Sequence, residues 1–355
     1  MADVELVVDG KAYDGWKAVE VSRAIDAVSG AFALDLTERW AVQQEPWQIT
    51  PGAACELRLD GETVITGHVD SVRPSYDANG HSVAVTGRDL AADLVDCSAV
   101  HAPDQWTNIG LDRLAKLLAE PFGVPVTVTG DMGDPFPVVK LEHGETAWEA
   151  LERHARQRGV LVFSDGRGGM VLANAGQQLA ESSLIQGQNI LSASGELNHV
   201  ERYSVYTVTG QSLGDDGWDA EASAHITGQA TDPAIVRYRP LRVICEALTS
   251  GASAGRRAAW ESTVRAGRSA RASIVVAGWR QSPNGPLWQL NQLVPVVSPW
   301  LQINGLMLVT GLRFRKGDGG STTSLELMSP AAFRPDLEPR KKQRKQDGTD
   351  LWGTW

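Results

Sequence analysis

Hairpin signals between short alternating segments dominate the first 88 residues of the chain. The stretch CELRLDGETVITGHV places alternating apolar and polar residues on both sides of Asp60-Gly61, and GHVDSVRPSYDANGHSVAVTG does the same around Asn79-Gly80. Asp-Gly and Asn-Gly supply the positive φ angles that two-residue hairpin turns require. The segment FALDLTE alternates in the same way. Alternation with period two predicts antiparallel sheets with one buried face.

The period changes to that of helices after Asp89, which we interpret as the N-cap of a first helix. A clearer helix is predicted in TNIGLDRLAKLLAEPFG, where Pro121 stops it, and another in HGETAWEALERHARQRG, where Gly159 ends it. VLVFSDGRGGMVLANAG then predicts a hairpin at Asp165-Gly166. A strand, two helices and a hairpin predict a small α+β unit inserted into the β-rich part.

Strands return in HVERYSVYTVTG, a further helix is predicted in TSGASAGRRAAWESTVRAG, and strands continue to Phe333. The last segment has a basic run and ends in Trp352 and Trp355, which we interpret as a solvated tail that anchors on a partner. The predicted divisions are a first β domain at 1–88 completed by strands from about 188–240, an inserted α+β domain at 89–187, a second β domain with a preceding helix at 241–333, and a tail at 334–355.

Two segments share an order of features that suggests an internal repeat. ALDLTERWAVQQEPWQITPGAACELRLDGETVITGHVDSVRPSYDANGHSVAVTG and SIVVAGWRQSPNGPLWQLNQLVPVVSPWLQINGLMLVTGLRFRKGDGGSTTSLELMSP each hold a strand, a proline-containing loop and a Trp-Gln-aliphatic triplet. A hairpin, a charged strand and a glycine-containing turn follow in both. Coincidence between two β meanders and a duplication both account for this order.

Composition and charge exclude several classes of protein. A length of 355 residues predicts two or more domains, and a net charge of −10 argues against a protein that coats nucleic acid. The three cysteines, Cys55, Cys97 and Cys245, form no CxxC pair, which favours folding in a reducing cytosol. We expect neither a signal peptide in MADVELVVDG nor a membrane-spanning segment.

The stretch VTGRDLAADLVDCSAV concentrates groups that resemble a reactive site. Cys97 and His101 are four residues apart, as a nucleophile and base on one helix would be, but the aspartates nearby would raise rather than lower the pKa of the thiol. We interpret Cys97 as a small buried residue at a helix end. We interpret Arg88 and Asp89 as a strand-to-helix corner, where Arg88 pairs locally or faces a neighbour.

Other candidate motifs are weaker. Gly210, Ser212 and Gly214 match a nucleophile elbow, yet no amphipathic helix follows, and the histidines show no metal-ligand spacing. Spacing leaves a paired-carboxylate glycosidase open, since its acids need not be close in sequence. We predict no catalytic, cofactor-binding or metal-binding residues and no enzyme. Trp288, Trp300 and Phe314 carry large apolar area, which favours a place in the core over one in an interface, and with Arg88 they are the candidate interface residues.

Two stretches resemble a known family. VAVTGRDLAADLVDCSAV resembles the corner that follows the first tube-like domain in the baseplate hub proteins of Mu-like contractile-tailed bacteriophages, within the phage tail hub superfamily. GWRQSPNGPLWQLNQLVPVVSPWLQINGLMLVTGLRFRKGDGGSTTSLELMSPAAF resembles their closing domain, including Gly-Trp-Arg, Pro-Trp-Leu and Pro-Ala-Ala-Phe. The likeness extends over about residues 1 to 333 and leaves the tail unmatched.

The resemblance implies a β-rich α+β fold with two tube-like antiparallel β-barrel domains and smaller inserted α+β domains. It also implies a homotrimer whose pseudo-sixfold ring adapts a hexameric tail tube to a trimeric central spike. The expected partners are the tube, spike and other baseplate proteins. DNA passes through the channel without specific binding, the spike rather than the hub contacts the host membrane, and no cofactor is needed.

By the same resemblance, the protein is made and assembled in the bacterial host cytoplasm and resides in the virion tail. Two alternatives stay open at this point. One is a hub or spike of a contractile bacteriocin or secretion machine, although no β-helical needle repeat follows residue 333. The other is a tail-associated cell-wall hydrolase, which would need an acid pair in a cleft.

Overall fold

A computed structural model describes residues 3–38, 49–78, 80–176, 178–210, 226–244 and 251–333. Ser212 and Gly214 of the predicted elbow motif, Cys245 and the C-terminal tail lie outside these ranges. Within them no helix is long and apolar enough to cross a membrane.

The described ranges contain many strands and few helices. The strands are β1 (Val4–Val8), β2 (Lys11–Tyr13), β3 (Ala18–Ala24), β4 (Ala27–Glu38), β5 (Ala54–Leu59), β6 (Glu62–Tyr76), β7 (His81–Asp89), β8 (Gln105–Ile109), β9 (Val126–Thr129), β10 (Phe136–Lys140), β11 (Leu161–Ser164), β12 (Met170–Ala173), β13 (Gln178–Leu179), β14 (Leu184–Ile185), β15 (Ile190–Leu197), β16 (Val205–Gly210), β17 (Ile226–Thr231), β18 (Pro240–Ile244), β19 (Ala270–Ala277), β20 (Gln292–Ser298), β21 (Ile303–Gly317) and β22 (Gly320–Met328). The α-helices are α1 (Ala92–Asp96), α2 (Leu111–Ala119), α3 (Ala147–Arg158) and α4 (Gly251–Arg268), and short 3-10 helices span Glu120–Phe122 and Pro330–Phe333.

One sheet of 14 strands contains both ends of the described chain. Its first half has the order β3-β4-β7-β6-β5-β1-β2. Its closing half has the order β15-β19-β22-β21-β20, with β13 and β14 running parallel to β20. The halves join where β3 pairs antiparallel with β21. The two halves therefore form one continuous sheet, and the predicted β-rich α+β class is confirmed.

The two halves repeat one strand order and one register. β3, β4, β7, β6 and β5 correspond in order to β15, β19, β22, β21 and β20. A β-bulge lies between Val69 and Ser71 in the β6–β7 pair, and another lies between Val309 and Gly311 in the β21–β22 pair. Alternate residues of β4 and of β19 point into the same core, as the pleat of a strand requires. The segments that suggested a repeat are thus matching β meanders.

The inserted unit has its own core. The leucines of α2 and α3 pack between the β8–β10 pair and the three-stranded sheet β11-β12-β9. α3 begins with a capping box in which the Thr146 hydroxyl accepts from the Glu149 N–H, and the Glu149 carboxylate accepts from the Thr146 N–H. It ends at Gly159, whose φ of 60° suits the left-handed C-cap.

The predicted completion of the first domain by strands from about 188–240 is corrected by the strand pairing. β15 pairs with β19 in the closing half, whereas β16, β17 and β18 form a separate sheet against α4. Gly228 permits this contact, since a Cβ there would lie 2.1 Å from the backbone nitrogen of Gly255. Alternation identifies a strand, but it does not identify the strand that lies beside it.

Candidate assembly interface

Asp89, at the end of β7, is a buried carboxylate that is only 1% exposed. Its Oδ2 accepts from the Gly30 N–H at 2.7 Å, and its Oδ1 accepts from the Ala91 N–H at 3.1 Å. Burial raises the pKa of Asp89, although hydrogen bonds from Ser164, Gly30 and other neighbours oppose that shift. The carboxylate therefore ties β4 and the approach to α1 to the end of β7. The role of Asp89 is thus to stabilise the corner between β7 and α1.

A half-buried arginine links the first half of the sheet to the inserted unit. Arg23 of β3 donates from Nη1 to the carbonyl oxygen of Asp165 at 3.0 Å. Burial lowers the pKa of Arg23, and the negative charges of Asp89 and Asp165 only partly offset this. The β11–β12 turn needs Gly166 here, because its φ is 75° and a Cβ would lie 2.3 Å from Nη1 of Arg23.

Arg88 lies at the surface and pairs within the chain, which is one of the two alternatives predicted for it. Its Nε donates to Asp70 Oδ2 at 2.8 Å, and its Nη2 donates to Asp96 Oδ2 at 2.7 Å. These bonds raise the pKa of Arg88 and lower that of Asp96. The guanidinium bridges β6 and the end of α1, because both of its carboxylate partners, Asp70 and Asp96, belong to the same chain. Its role as an interface residue stays a prediction.

Two details of the corner differ from prediction. The N-cap of α1 is Ala91 rather than Asp89, because the Asp89 carboxylate turns inward to the Gly30 and Ala91 N–H groups. Cys97 is exposed, not buried, and lies just after the helix ends. His101 is beyond that end, where its Nδ1 is 3.0 Å from the Pro103 carbonyl oxygen. Since α1 stops before Cys97, the helical spacing that would pair Cys97 with His101 does not exist.

The three aromatic candidates lie in different environments. Trp288 and Phe314 are each 1% exposed, so both lie in the core that the sequence favoured for them, and their listing as interface candidates is corrected. Both side chains belong to the hydrophobic core, which is where large apolar side chains are most often found. Trp300 is 85% exposed in the turn between β20 and β21. It stays a candidate for partner contact.

The joint between β3 and β21 has an apolar face and a charged face. Phe314 lies directly opposite Val21, and both are buried. On the other face, Arg313 and Arg315 each place Nε beside the Glu20 carboxylate, at 3.3 Å and 3.0 Å. Sequence reasoning missed this joint. Its only signals were the Arg-Phe-Arg alternation of β21 and the matching alternation of β3, which do not specify a partner.

An open cleft of about 380 Å³ separates the β5–β6 hairpin, the inserted unit and the loop that carries Trp288. Its carboxylates are Glu62 and Asp165. Glu62 accepts from Arg280 Nη1 at 2.5 Å, and Asp165 accepts from the Arg167 and Gly169 N–H groups at 2.6 Å and 2.8 Å. Both acids thus hold local structure. In the described ranges, no group of three His, Cys, Asp or Glu side chains is placed to hold a metal ion.

Three family models match successive parts of the chain. The N-terminal model of Mu phage baseplate assembly protein GpP-like proteins matches residues 3–89. The second-domain model of gp44-like baseplate hub proteins matches residues 91–174, and the fourth-domain model of Mu phage baseplate assembly protein GpP matches residues 250–336.

Several similar proteins match nearly the whole chain. The baseplate hub protein gp44 of Escherichia phage Mu is 33% identical over 353 residues, which cover 96% of this chain and 92% of gp44. The 43 kDa tail protein of prophage MuSo2 from Shewanella oneidensis has 37% identity and a TM-score of 0.81, with 95% and 100% of the two chains covered. A tail protein from Neisseria meningitidis MC58 shares the fold, at 24% identity, a TM-score of 0.77 and coverage of 95% and 99%.

Proposed function

The chain belongs to the family of the baseplate hub protein gp44 of phage Mu, and on that premise we propose that it builds a trimeric ring at the centre of a contractile-tail baseplate. It is a structural baseplate hub protein and a component of the virion tail. In the proposed ring, each chain contributes two tube-like domains, so that three chains supply six similar positions. Such a ring adapts a hexameric tail tube to a trimeric spike.

The observation that carries this proposal is the repeated strand order. β3-β4-β7-β6-β5 and β15-β19-β22-β21-β20 are two copies of one meander, joined edge to edge by β3 and β21. Three chains that each hold two like units present six similar positions to a sixfold-symmetric neighbour. The same three chains present three identical positions to a threefold-symmetric neighbour. The closure of each unit into a barrel belongs to this proposal.

We further propose that the protein has no catalytic role and that DNA crosses the ring without specific contacts. The two acids of the cleft beside Trp288 are bonded to Arg280 and to turn N–H groups, which favours a structural use of that cleft. The net charge of −10 disfavours phosphate binding along the path. Peptidoglycan turnover by the purified protein would contradict the first part.

The test of the ring is the mass of the purified protein by light scattering on a sizing column. We expect about three times the chain mass of 38.2 kDa. A monomer at all concentrations would remove the main physical prediction of the proposal. Genes for capsid and portal proteins beside this one are expected for a phage. Their absence would favour a secretion machine, since a type VI secretion component of E. coli, c3393, shares the fold at 12% identity, a TM-score of 0.55 and coverage of 94% and 79%.

A further inference from the structure

Several strand edges of the large sheet have no partner strand among the described residues, and two of them expose large apolar side chains. One is the outer edge of β15, which pairs only with β19. The other is the second part of β6, from Asp70 to Tyr76, beyond the end of β5. Large apolar side chains are exposed on both edges: Leu197 is 63% exposed and Tyr76 is 82% exposed. Unpaired edges of this kind accept a further strand.

These two edges correspond to the two strands of the β3–β21 joint. β15 occupies the position in the closing half that β3 occupies in the first half, and β6 occupies the position of β21. The registers match residue by residue, because Val21 faces Phe32 of β4 as Gly195 faces Ala272 of β19. The bulges of β6 and β21 align Pro74 with Phe314 by the same count. One joint is therefore made inside the chain, while both halves of a second joint lie open.

We propose that β15 of one copy pairs antiparallel with residues 70–76 of β6 in a second copy, which repeats the β3–β21 joint between chains. The inference rests on the proposed ring and specifies how its chains meet. Carried over from Phe314 opposite Val21, the register places Pro74 opposite Gly195. The same register sets Val72 opposite Leu197 and Tyr76 opposite Ala193 on one face, and Arg73 opposite Glu196 and Ser75 opposite Ser194 on the other.

The side chains that this register brings together are complementary. One face receives only apolar residues and Gly195, and it covers the exposed side chains of Leu197 and Tyr76. The other face receives Arg73 against Glu196, both exposed, as Arg315 meets Glu20 within the chain. Opposite charges directly across a strand pair stabilise it, whereas like charges destabilise it.

Pro74 distinguishes the proposed joint from the internal one. It has no N–H to donate, so the ladder between chains has one donor fewer than a ladder without proline. Proline inside a sheet is confined to edge strands and bulges, which agrees with an edge that stays open until chains assemble. Each copy carries one edge of each kind, so the contact runs head to tail and closes only as a ring.

A disulfide scan tests the register directly. The variant combines Ser75→Cys with Ser194→Cys in a Cys97→Ser, Cys245→Ser background and is oxidised, then run on a non-reducing gel. Directly opposite residues have Cβ atoms about 4.5–5.5 Å apart, close to the span of a disulfide. The matched control replaces Ser75→Cys by Ser71→Cys, which moves one thiol by four residues, or about 13 Å, along the same face of β6.

We expect the first variant, and not the control, to become a covalent trimer. A trimer by light scattering that stays unlinked in the first variant would overturn the strand joint and leave the ring standing. It would mean that another surface holds the trimer. A monomer without links in either variant would overturn both the joint and the ring. As an independent readout, Arg73→Glu should raise the dissociation constant by roughly 1.5- to 5-fold per joint, and adding Glu196→Arg should restore it.

Discussion

Replacing Asp89 with alanine decides whether the polar corner after β7 is structural. The carboxylate accepts from two buried N–H groups, those of Gly30 and Ala91. A buried donor left without an acceptor costs about 1–3 kcal/mol, so the two together should lower the free energy of unfolding by about 2–6 kcal/mol. Against a typical total of about 5–15 kcal/mol, that loss is large. The same variant removes the negative charge beside half-buried Arg23, which adds to the loss whenever Asp89 is ionised.

The assay is urea unfolding followed by tryptophan fluorescence and by circular dichroism. Asp93→Ala is the matched control, because Asp93 lies four residues further along and is exposed on α1. A surface substitution of this kind changes stability by within about 0.5 kcal/mol. If Asp89→Ala unfolded at the urea concentration of Asp93→Ala and yet failed to assemble, the structural interpretation of the corner would be refuted. Asp89 would then act in contact with a partner.

The pH dependence of the same residue has a defined sign. Burial raises the pKa of Asp89 in the folded chain above its value of about 3.9 in an unfolded one. Its contribution to stability is therefore complete below the unfolded value and is lost as the pH rises through the folded value. Asp89→Asn removes this titration, so the wild type should lose stability relative to Asp89→Asn between acid and neutral pH. A difference between the two that stays constant with pH would contradict the assignment.

Two further predictions concern thiols and glycines. Burial raises the pKa of the Cys55 thiol to about 12, so a thiol reagent at pH 8 should label exposed Cys97 in the folded chain and Cys55 only after unfolding. Cys97→Ser should remove one equivalent of native labelling, and retention of that equivalent would contradict the prediction. Gly228→Ala should detach β17 from α4 and expose this region to protease, because its Cβ would meet helix backbone at 2.1 Å. Gly255→Ala, with open space around its Cβ, should instead stabilise the helix by about 0.5–1 kcal/mol, and equal protease sensitivity of the two variants would refute the contact.

Local structure was the part of the fold that the sequence predicted well. The hairpin at Asp60-Gly61 forms between β5 and β6, and both residues have the positive φ values that the dipeptide predicts, 48° and 79°. The helix that was expected to end at Gly159 ends there. These features depend on backbone preferences of a few neighbouring residues, which one sequence contains in full.

The arrangement of strands required information that one sequence does not contain. β15 and β16 read alike as alternating segments, yet one joins the large sheet and the other packs under α4. The burial of the Asp89 carboxylate is a similar case. Its hydrogen-bond partner Gly30 is distant in sequence and has no side chain that would indicate the contact. Trp288 and Phe314 show the same limit for surfaces. Aromatic area predicts burial, but it does not say whether the chain or a partner provides it.

The register of the proposed joint between chains follows from the same two-sided pattern that fixes strands inside the chain. A slip of one residue along β6 would set Tyr76 opposite a serine and Leu197 opposite Ser71 or Arg73, because the side-chain period of a strand is two. A slip of two residues would keep the faces but separate Arg73 from Glu196. Only the register copied from β3 and β21 satisfies both conditions. β15 is rich in small residues and carries neither lysine nor proline, which would discourage pairing at its edge. The matching apolar face and the Arg73–Glu196 pair together therefore direct β15 to β6 of a second copy rather than to any other exposed strand.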